Sequence, residues 1–84
     1  MRYEGRATIT QNGTQVAVTC SAKLTVRFWS GYFHGAEPEG VLQPGPATIT
    51  VRNGRTSNVT ITVITSPAGG NFRGVGPWPI SPTN

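Results

Sequence analysis

The side chains that could perform acid–base or metal chemistry are few in this chain of 84 residues, which has three Glu, one His, one Cys and no Asp. His34, Glu37 and Glu39 could offer a metal one nitrogen and two oxygens, but a zinc site would need a further His or Cys nearby. A nucleophilic cysteine needs partial exposure beside a base, whereas Cys20 falls on the apolar positions of its segment. We therefore expect no enzyme, no cofactor and no metal site.

The densest group of aromatic side chains lies at residues 28–34, directly after an arginine. Aromatic rings beside cationic groups hold single-stranded nucleic acid by stacking, and exposed rings also form contacts with other proteins. The same rings could instead serve as core or as a lid over the end of the fold. Another tryptophan, between two prolines, could plug its own domain or anchor an arm on a neighbour. The candidate interaction patch consists of Arg27, Trp29, Tyr32, Phe33, His34 and Trp78.

The formal net charge of +4 comes from seven Lys and Arg against three Glu. These basic residues are scattered along the chain, without a run that would form a nucleic-acid-binding tail. The balance indicates either weak attraction to phosphate or an acidic partner, or a solvated surface with few carboxylates. Charged residues make up only 12% of the chain, so little electrostatic repulsion opposes association with other molecules.

Composition indicates that β-strands position these residues. Val, Ile and Thr supply 25 positions and Leu only two, and no segment shows the apolar periodicity of a helix. No apolar run approaches the length of a membrane span, and no leader is recognisable. We expect a protein of the cytoplasm or of a virion, not secreted by a signal peptide and without a disulfide, because Cys20 is alone.

The first hairpin follows from Asn12-Gly13, the dipeptide that a two-residue type I′ turn favours. Pairing across this turn sets Ile9 opposite Val16, so the turn and the apolar pattern agree on the register. The alternation continues along the second strand and predicts that even-numbered side chains from Val16 through Phe28 face the core. Trp29 then falls on the opposite face.

This second strand would be too long for a small domain. Fifteen residues at ~3.3 Å each would extend ~50 Å, whereas a compact chain of this size has a radius of gyration of only ~12 Å. We expect a bend or bulge near Ser21-Ala22. The alternative is a ribbon that protrudes and pairs with another subunit.

The remainder divides at its glycines and prolines. The second hairpin repeats the Ala-Thr-Ile-Thr and Asn-Gly segments of the first, which suggests two similar hairpins facing each other across one core. A two-residue loop at Asn53-Gly54 would set Ile49 opposite Asn58, against the apolar pattern. Shifting the register by one residue sets Ile49 opposite Val59 and Ala47 opposite Ile61. We therefore expect a loop of three or five residues, or a bulge beside it. The predicted segments are a first hairpin at 1–29, a long loop at 30–46 with a short strand at 32–33, a second hairpin at 47–65, a closing strand at 70–76 and an extended Pro-rich tail at 77–84.

The predicted fold is a single all-β domain without a helix, a five- or six-stranded antiparallel barrel or sandwich. It is made of two similar β-hairpins plus a closing strand. The predicted core residues are Tyr3, Ala7, Ile9, Val16, Val18, Cys20, Ala22, Leu24, Val26, Phe28, Ile49, Val51, Val59, Ile61, Val63 and Phe72.

The chain resembles a family of short actinobacterial β domains of unknown function. The resemblance is carried by the start at residues 3–7, Tyr-Glu-Gly-Arg-Ala, by the aromatic turn at 28–34, and by the end at 70–77, Gly-Asn-Phe-Arg-Gly-Val-Gly-Pro. Two departures are the lack of an acidic residue in the aromatic turn and Trp78 among the final prolines. The resemblance implies an all-β fold and carries over no functional residue.

Three functions are compatible with these observations. The first is a non-enzymatic interaction or structural module that self-associates or decorates a larger assembly, as virion decoration proteins do, with a protein partner or a second copy of the chain. The second is single-stranded nucleic-acid binding through Arg27, Trp29 and Tyr32. The third is a small apolar ligand inside the barrel, covered by residues 30–46. No membrane partner is expected.

Overall fold

The computed structural model describes residues 1–80, and these form six antiparallel strands that close into a barrel. The strands are β1 (Arg2–Gln11), β2 (Thr14–Leu24), β3 (Trp29–Glu37), β4 (Gly45–Val51), β5 (Thr56–Ser66) and β6 (Gly69–Gly74). Their order around the wall is β1-β2-β3-β6-β5-β4. The predicted all-β fold is confirmed, as a six-stranded barrel. Within residues 1–80 there is no helix, and therefore none that could cross a membrane.

The first hairpin has the predicted turn and register. Asn12 and Gly13 adopt positive φ angles of 52° and 80°, as a type I′ turn requires. Ile9 pairs with Val16, and both side chains are fully buried. Local turn chemistry and the alternation of apolar residues act together here, so the hairpin could be read from the sequence.

The predicted continuation of β2 to Phe28 is wrong. The strand ends at Leu24, and the Thr25 backbone N–H donates to the Phe28 carbonyl (2.8 Å) to close a tight turn. Val26 and Phe28, predicted to face the core, are 98% and 70% exposed. The apolar alternation runs through this turn, which lacks the Gly, Pro, Asn or Asp that usually marks one.

In the predicted 30–46 loop, residues 30–37 belong to β3 and residues 45–46 belong to β4, so the connection between these strands is limited to residues 38–44. Near the end of β3, one residue of β2 (Val18) lies opposite two residues of β3 (Gly35 and Ala36), which places a bulge at Gly35, where φ is 66°. A glycine in the left-handed region is the usual residue for such a bulge. No bulge lies at Ser21-Ala22, where the pairing with β1 and β3 is continuous. The strand β2 ends earlier than predicted, and its partner strand carries the irregularity.

The strands of the second hairpin are joined by residues 52–55, the 52–55 loop. Its turn has three residues, because the Val51 N–H donates to the Arg55 carbonyl (2.8 Å) across residues 52–54. The loop length was among those predicted, but the expected pairing was not correct: Ile49 lies opposite Ser57, and Val59 lies opposite Ala47. The repeated segments do not face each other across the core. They are neighbours in the wall, where Ile9 pairs with Ile49.

A second bulge changes which side chains of β5 face inward. The pairing with β6 shifts between Ile61 and Val63, so Val63, predicted to be in the core, is 43% exposed, while Ile64 packs against the core. Tyr3 and Leu24 are half-buried against the same core. The buried apolar residues are Ala7, Ile9, Val16, Val18, Cys20, Ala22, Trp29, Phe33, Ala36, Leu42, Ile49, Val51, Val59, Ile61 and Phe72.

A buried amide fastens the 38–44 connection to the wall. Gln11 is 6% exposed; its Nε2 donates to the carbonyls of Gln43 (3.0 Å) and Pro46 (3.1 Å), and its Oε1 accepts from the Gln43 N–H (3.0 Å). A buried amide is stable only when its donors and acceptor are paired. The connection is therefore a fixed part of the barrel end, and its own Leu42 is buried.

Candidate functional site

The barrel divides the predicted interaction patch between its interior and its surface. Trp29 and Phe33 are 5% and 3% exposed, so Trp29 does not lie on the outer face that parity assigned to it. Tyr32 and His34 lie on the outside of β3, and Arg27 lies in the exposed turn before it. The patch is therefore not one surface, and its exposed members are Arg27, Tyr32 and His34.

Trp29 is part of an aromatic cluster that closes one end of the barrel. Its ring meets Phe72 edge-on (centroids 6.1 Å apart) and Trp78 in the same manner (5.6 Å). The Trp29 Nε1–H donates to the Gly76 carbonyl (2.8 Å), and the Asn58 carbonyl accepts from the backbone N–H of Gly76 (3.0 Å). The start of the predicted tail thus packs on its own domain as a plug; residues 81–84 of that tail lie outside the described residues.

Strand direction gathers the basic residues at this same end. This end holds the first residue of β1, the end of β2, the 25–28 turn, the 52–55 loop and the end of β6. Glu37, the last residue of β3, and Glu39, in the 38–44 connection, lie at the other end. Residues that are far apart in sequence therefore combine into one positive region. We call it the basic end, and its cations are Arg2, Lys23, Arg27, Arg52, Arg55 and Arg73.

Part of the basic end is a regular surface on the outside of β1, β2, β3 and β6. Cross-strand pairing sets one row of residues across these four strands, and a second row lies two residues further along each strand. We call this surface the basic face. Its first row is Arg2, Lys23, Ser30 and Arg73, and its second row is Glu4, Ser21, Tyr32 and Asn71.

Tyr32 stands in the centre of this face among small polar neighbours. Its side chain is 53% exposed, and Ser21 and Asn71 flank it on the adjacent strands. A cavity of about 310 Å³ lies beside the ring. The ring is therefore accessible from solvent, with Lys23 and Arg73 two strand spacings, or about 10 Å, apart in the neighbouring row.

The single carboxylate of the basic face is already engaged. Glu4 Oε2 lies 3.7 Å from Arg2 Nη1 and accepts a hydrogen bond from Ser21 Oγ (3.5 Å). Among residues 1–80 this is the one ion pair, so Lys23 and Arg73 retain uncompensated charge. The face can attract an anion and present a flat ring to it.

The titratable groups considered for catalysis are not assembled into a site. Cys20 is 2% exposed, and burial raises the pKa of its thiol from the usual 9.0 to about 11, so the thiol is protonated at neutral pH. Across the described part of the chain, no three His, Cys, Asp or Glu side chains are grouped so that they could hold a metal ion.

Sequence reasoning missed Arg2, Lys23 and Arg73 as site residues. One signal was available: the Asn12-Gly13 turn already places Arg2 opposite Lys23. Arg73 could not be placed in this way, because its position beside Ser30 depends on the β3–β6 pairing between distant segments.

Comparison with known proteins finds no match among family models, curated proteins or solved structures. The resemblance to short actinobacterial domains therefore stays a prediction.

Proposed function

We propose that this protein is a non-enzymatic binding module and that it binds single-stranded nucleic acid on the basic face. The observation that carries the proposal is the position of exposed Tyr32 beside the Arg2–Lys23–Ser30–Arg73 row. Bases stack on aromatic rings while cations follow the phosphate backbone.

Two properties of the fold support this assignment. The basic face lies on paired strands, so the spacing between Tyr32, Lys23 and Arg73 is held by backbone hydrogen bonds rather than by loops. Side chains from all six strands, among them Phe33 and Phe72, fill the barrel interior. A small apolar ligand inside the barrel consequently has less support than a ligand on the surface.

The test is the affinity for a labelled oligothymidine of about twelve nucleotides, measured by fluorescence anisotropy over a range of salt concentrations. Tyr32→Ala should weaken binding about 5- to 150-fold, which corresponds to the ~1–3 kcal/mol of one stacked base, and Tyr32→Phe should retain most of the affinity. Lys23→Gln and Arg73→Gln should each reduce the slope of log K against log salt by about 0.7.

Arg55→Gln is the matched control, because it removes one charge from the 52–55 loop, outside the basic face. It should leave the salt slope unchanged. If Arg55→Gln and Arg73→Gln weaken binding equally, only the net charge matters and the proposed face is wrong. Absence of binding at low salt would also reject the proposal. Quenching of Trp29 is a poor readout, since that indole is buried.

A second candidate function is self-association, and it is favoured by the 25–28 turn. Val26 and Phe28 are the most exposed large apolar side chains of the described residues, and both belong to this turn at one end of the barrel. Exposed apolar groups of this kind mark protein contacts. Light scattering should then show an oligomer that Phe28→Ser dissociates, whereas a monomer at high concentration would exclude this function.

A further inference from the structure

A second concave surface lies on the outside of β1 and β4 and takes no part in the basic face. Its cavity measures about 250 Å³ and is bordered by Arg6, Thr8, Thr50 and Arg52. Thr8 and Thr50 are cross-strand partners, and the pairing of the next residues along, Ala7 with Val51, brings the two arginines to the same edge. Two arginines and two threonines therefore line one depression. The Thr50 hydroxyl is hydrogen-bonded to that of Thr56 (2.8 Å), and it can accept this bond while donating into the cavity.

One hydroxyl group connects the backbones of the two arginines. Tyr3 Oη donates to the Arg6 carbonyl (2.6 Å) and accepts from the Arg52 N–H (3.4 Å). Gly5 leaves room for this arrangement, since a Cβ there would lie 3.1 Å from Tyr3 Oη. The half-buried phenol thus joins the backbones of two arginines that lie 46 positions apart in the chain.

No opposite charge compensates this pair within the described residues. The cavity lining contains no carboxylate; Glu4 is engaged with Arg2, and Glu37 and Glu39 lie at the other end of the barrel. Like charges held side by side repel each other, and a bound anion would relieve that repulsion. Guanidinium groups are well suited to oxyanions because they can donate two parallel hydrogen bonds.

We propose that this cavity binds a phosphoryl group between the guanidinium groups of Arg6 and Arg52, with Thr8 and Thr50 as further donors. Tyr3 is a positioning residue. The site does not rest on the proposed function, because it uses other side chains on another part of the wall. The phosphoryl group can belong to a free phosphate or phosphomonoester, or to a nucleic-acid backbone.

The first test is titration with inorganic phosphate at constant ionic strength, followed by ³¹P NMR. The full chain should show one saturable site, and Arg6→Gln and Arg52→Gln should each weaken it at least tenfold, as expected for loss of a charge-assisted hydrogen bond. Tyr3→Phe should weaken it although both cations remain. Arg55→Gln, which removes equal charge from outside the cavity, should have no effect.

Two results would overturn the proposal: no saturable phosphate binding, or equal weakening by Arg6→Gln and Arg55→Gln in variants that retain the wild-type circular dichroism spectrum. The oligonucleotide titration identifies the source of the phosphoryl group. If Arg6→Gln also weakens oligonucleotide binding, the group is a backbone phosphate; if only phosphate binding is lost, the ligand is a small phosphate compound. Both results support the site, and the second does so even if no nucleic acid binds.

Discussion

Trp29 and Tyr32 show how much one residue of register changes the role of a side chain. Both belong to β3, where alternate residues face opposite sides. Leu24 pairs with Trp29 across the 25–28 turn, so Trp29 and Phe33 point inward, and Tyr32 points outward. Extending β2 through the turn, as the apolar pattern predicts, reverses these assignments. The candidate ligand-binding ring is therefore Tyr32, and Trp29 is structural.

At the residue scale, we expect Cys20 to make stability depend on alkaline pH. Burial raises the pKa of its thiol above the usual 9.0, to about 11, so the folded state keeps its proton where the unfolded state loses it. This contribution, on the order of 2 kcal/mol, is fully present below pH 9.0 and is lost progressively as pH rises to about 11.

Urea unfolding at neutral pH and near pH 11 would measure this effect. Cys20→Ala is the reference, because it retains the other titrating groups and removes only the thiol. The wild-type free energy of unfolding should decrease more over this interval than that of the variant. Parallel decreases in the two proteins would show that the buried thiol is not responsible.

At the element scale, the segment after β6 is part of the barrel. Trp78 packs edge-on against Trp29, and Ser57 Oγ donates to the Pro77 carbonyl. Gly74 is required beneath this cluster, because a Cβ there would collide with the Trp29 indole. Local sequence indicated an extended tail, but the docking of Pro77 and Trp78 depends on the barrel end.

We therefore expect Trp78→Ala to lower the free energy of unfolding by about 2 kcal/mol, less than for a fully buried tryptophan because Trp78 is only half-buried. Thermal denaturation would measure the change. Truncation before Pro77 should destabilise the monomer at least as much. Wild-type stability of both variants would mean that the segment does not plug the barrel.

The 25–28 turn provides the contrasting case. Val26 and Phe28 are almost entirely outside the core, so the double substitution Val26→Ser and Phe28→Ser should change the free energy of unfolding of the monomer by roughly 0.5 kcal/mol or less. Chemical denaturation at low protein concentration is the appropriate measurement. A decrease of several kcal/mol in the free energy of unfolding would instead show that Val26 and Phe28 face the core, as the apolar pattern predicts.

At the scale of the whole molecule, the barrel is electrically polarised along the strands. Six of the seven Lys and Arg lie at the basic end and two of the three Glu lie at the other. Such a distribution attracts anions to one end and lowers stability through repulsion among the cations. The sequence indicated scattered charge, because none of the basic residues are adjacent in the chain.

We expect salt to stabilise the free protein by screening this repulsion. The midpoint of thermal unfolding should rise with sodium chloride, and the rise should be smaller for a variant carrying Arg27→Gln and Arg55→Gln. Glu37→Gln, at the other end, is the control and should not reduce the rise. Equal salt dependence in all three proteins would contradict a concentrated basic end.

Two parts of this protein follow from its sequence alone. The β class follows from β-branched residues and the lack of helical periodicity, and the first hairpin follows from Asn12-Gly13 with its alternating apolar neighbours. Both depend on interactions between residues close in the chain, which sequence patterns record directly.

Tertiary structure alone decided the end of β2, the bulges of β3 and β5, and the composition of the basic face. A hydrogen-bonded turn at residues 25–28 ends β2 although the apolar alternation continues through it. The bulge at Gly35 in β3 shifts the pairing register between β2 and β3. Arg73 joins Lys23 only because the barrel closes through β3 and β6. The β3–β6 pairing joins segments far apart in the chain, and its energy depends on which strands become neighbours when the barrel closes.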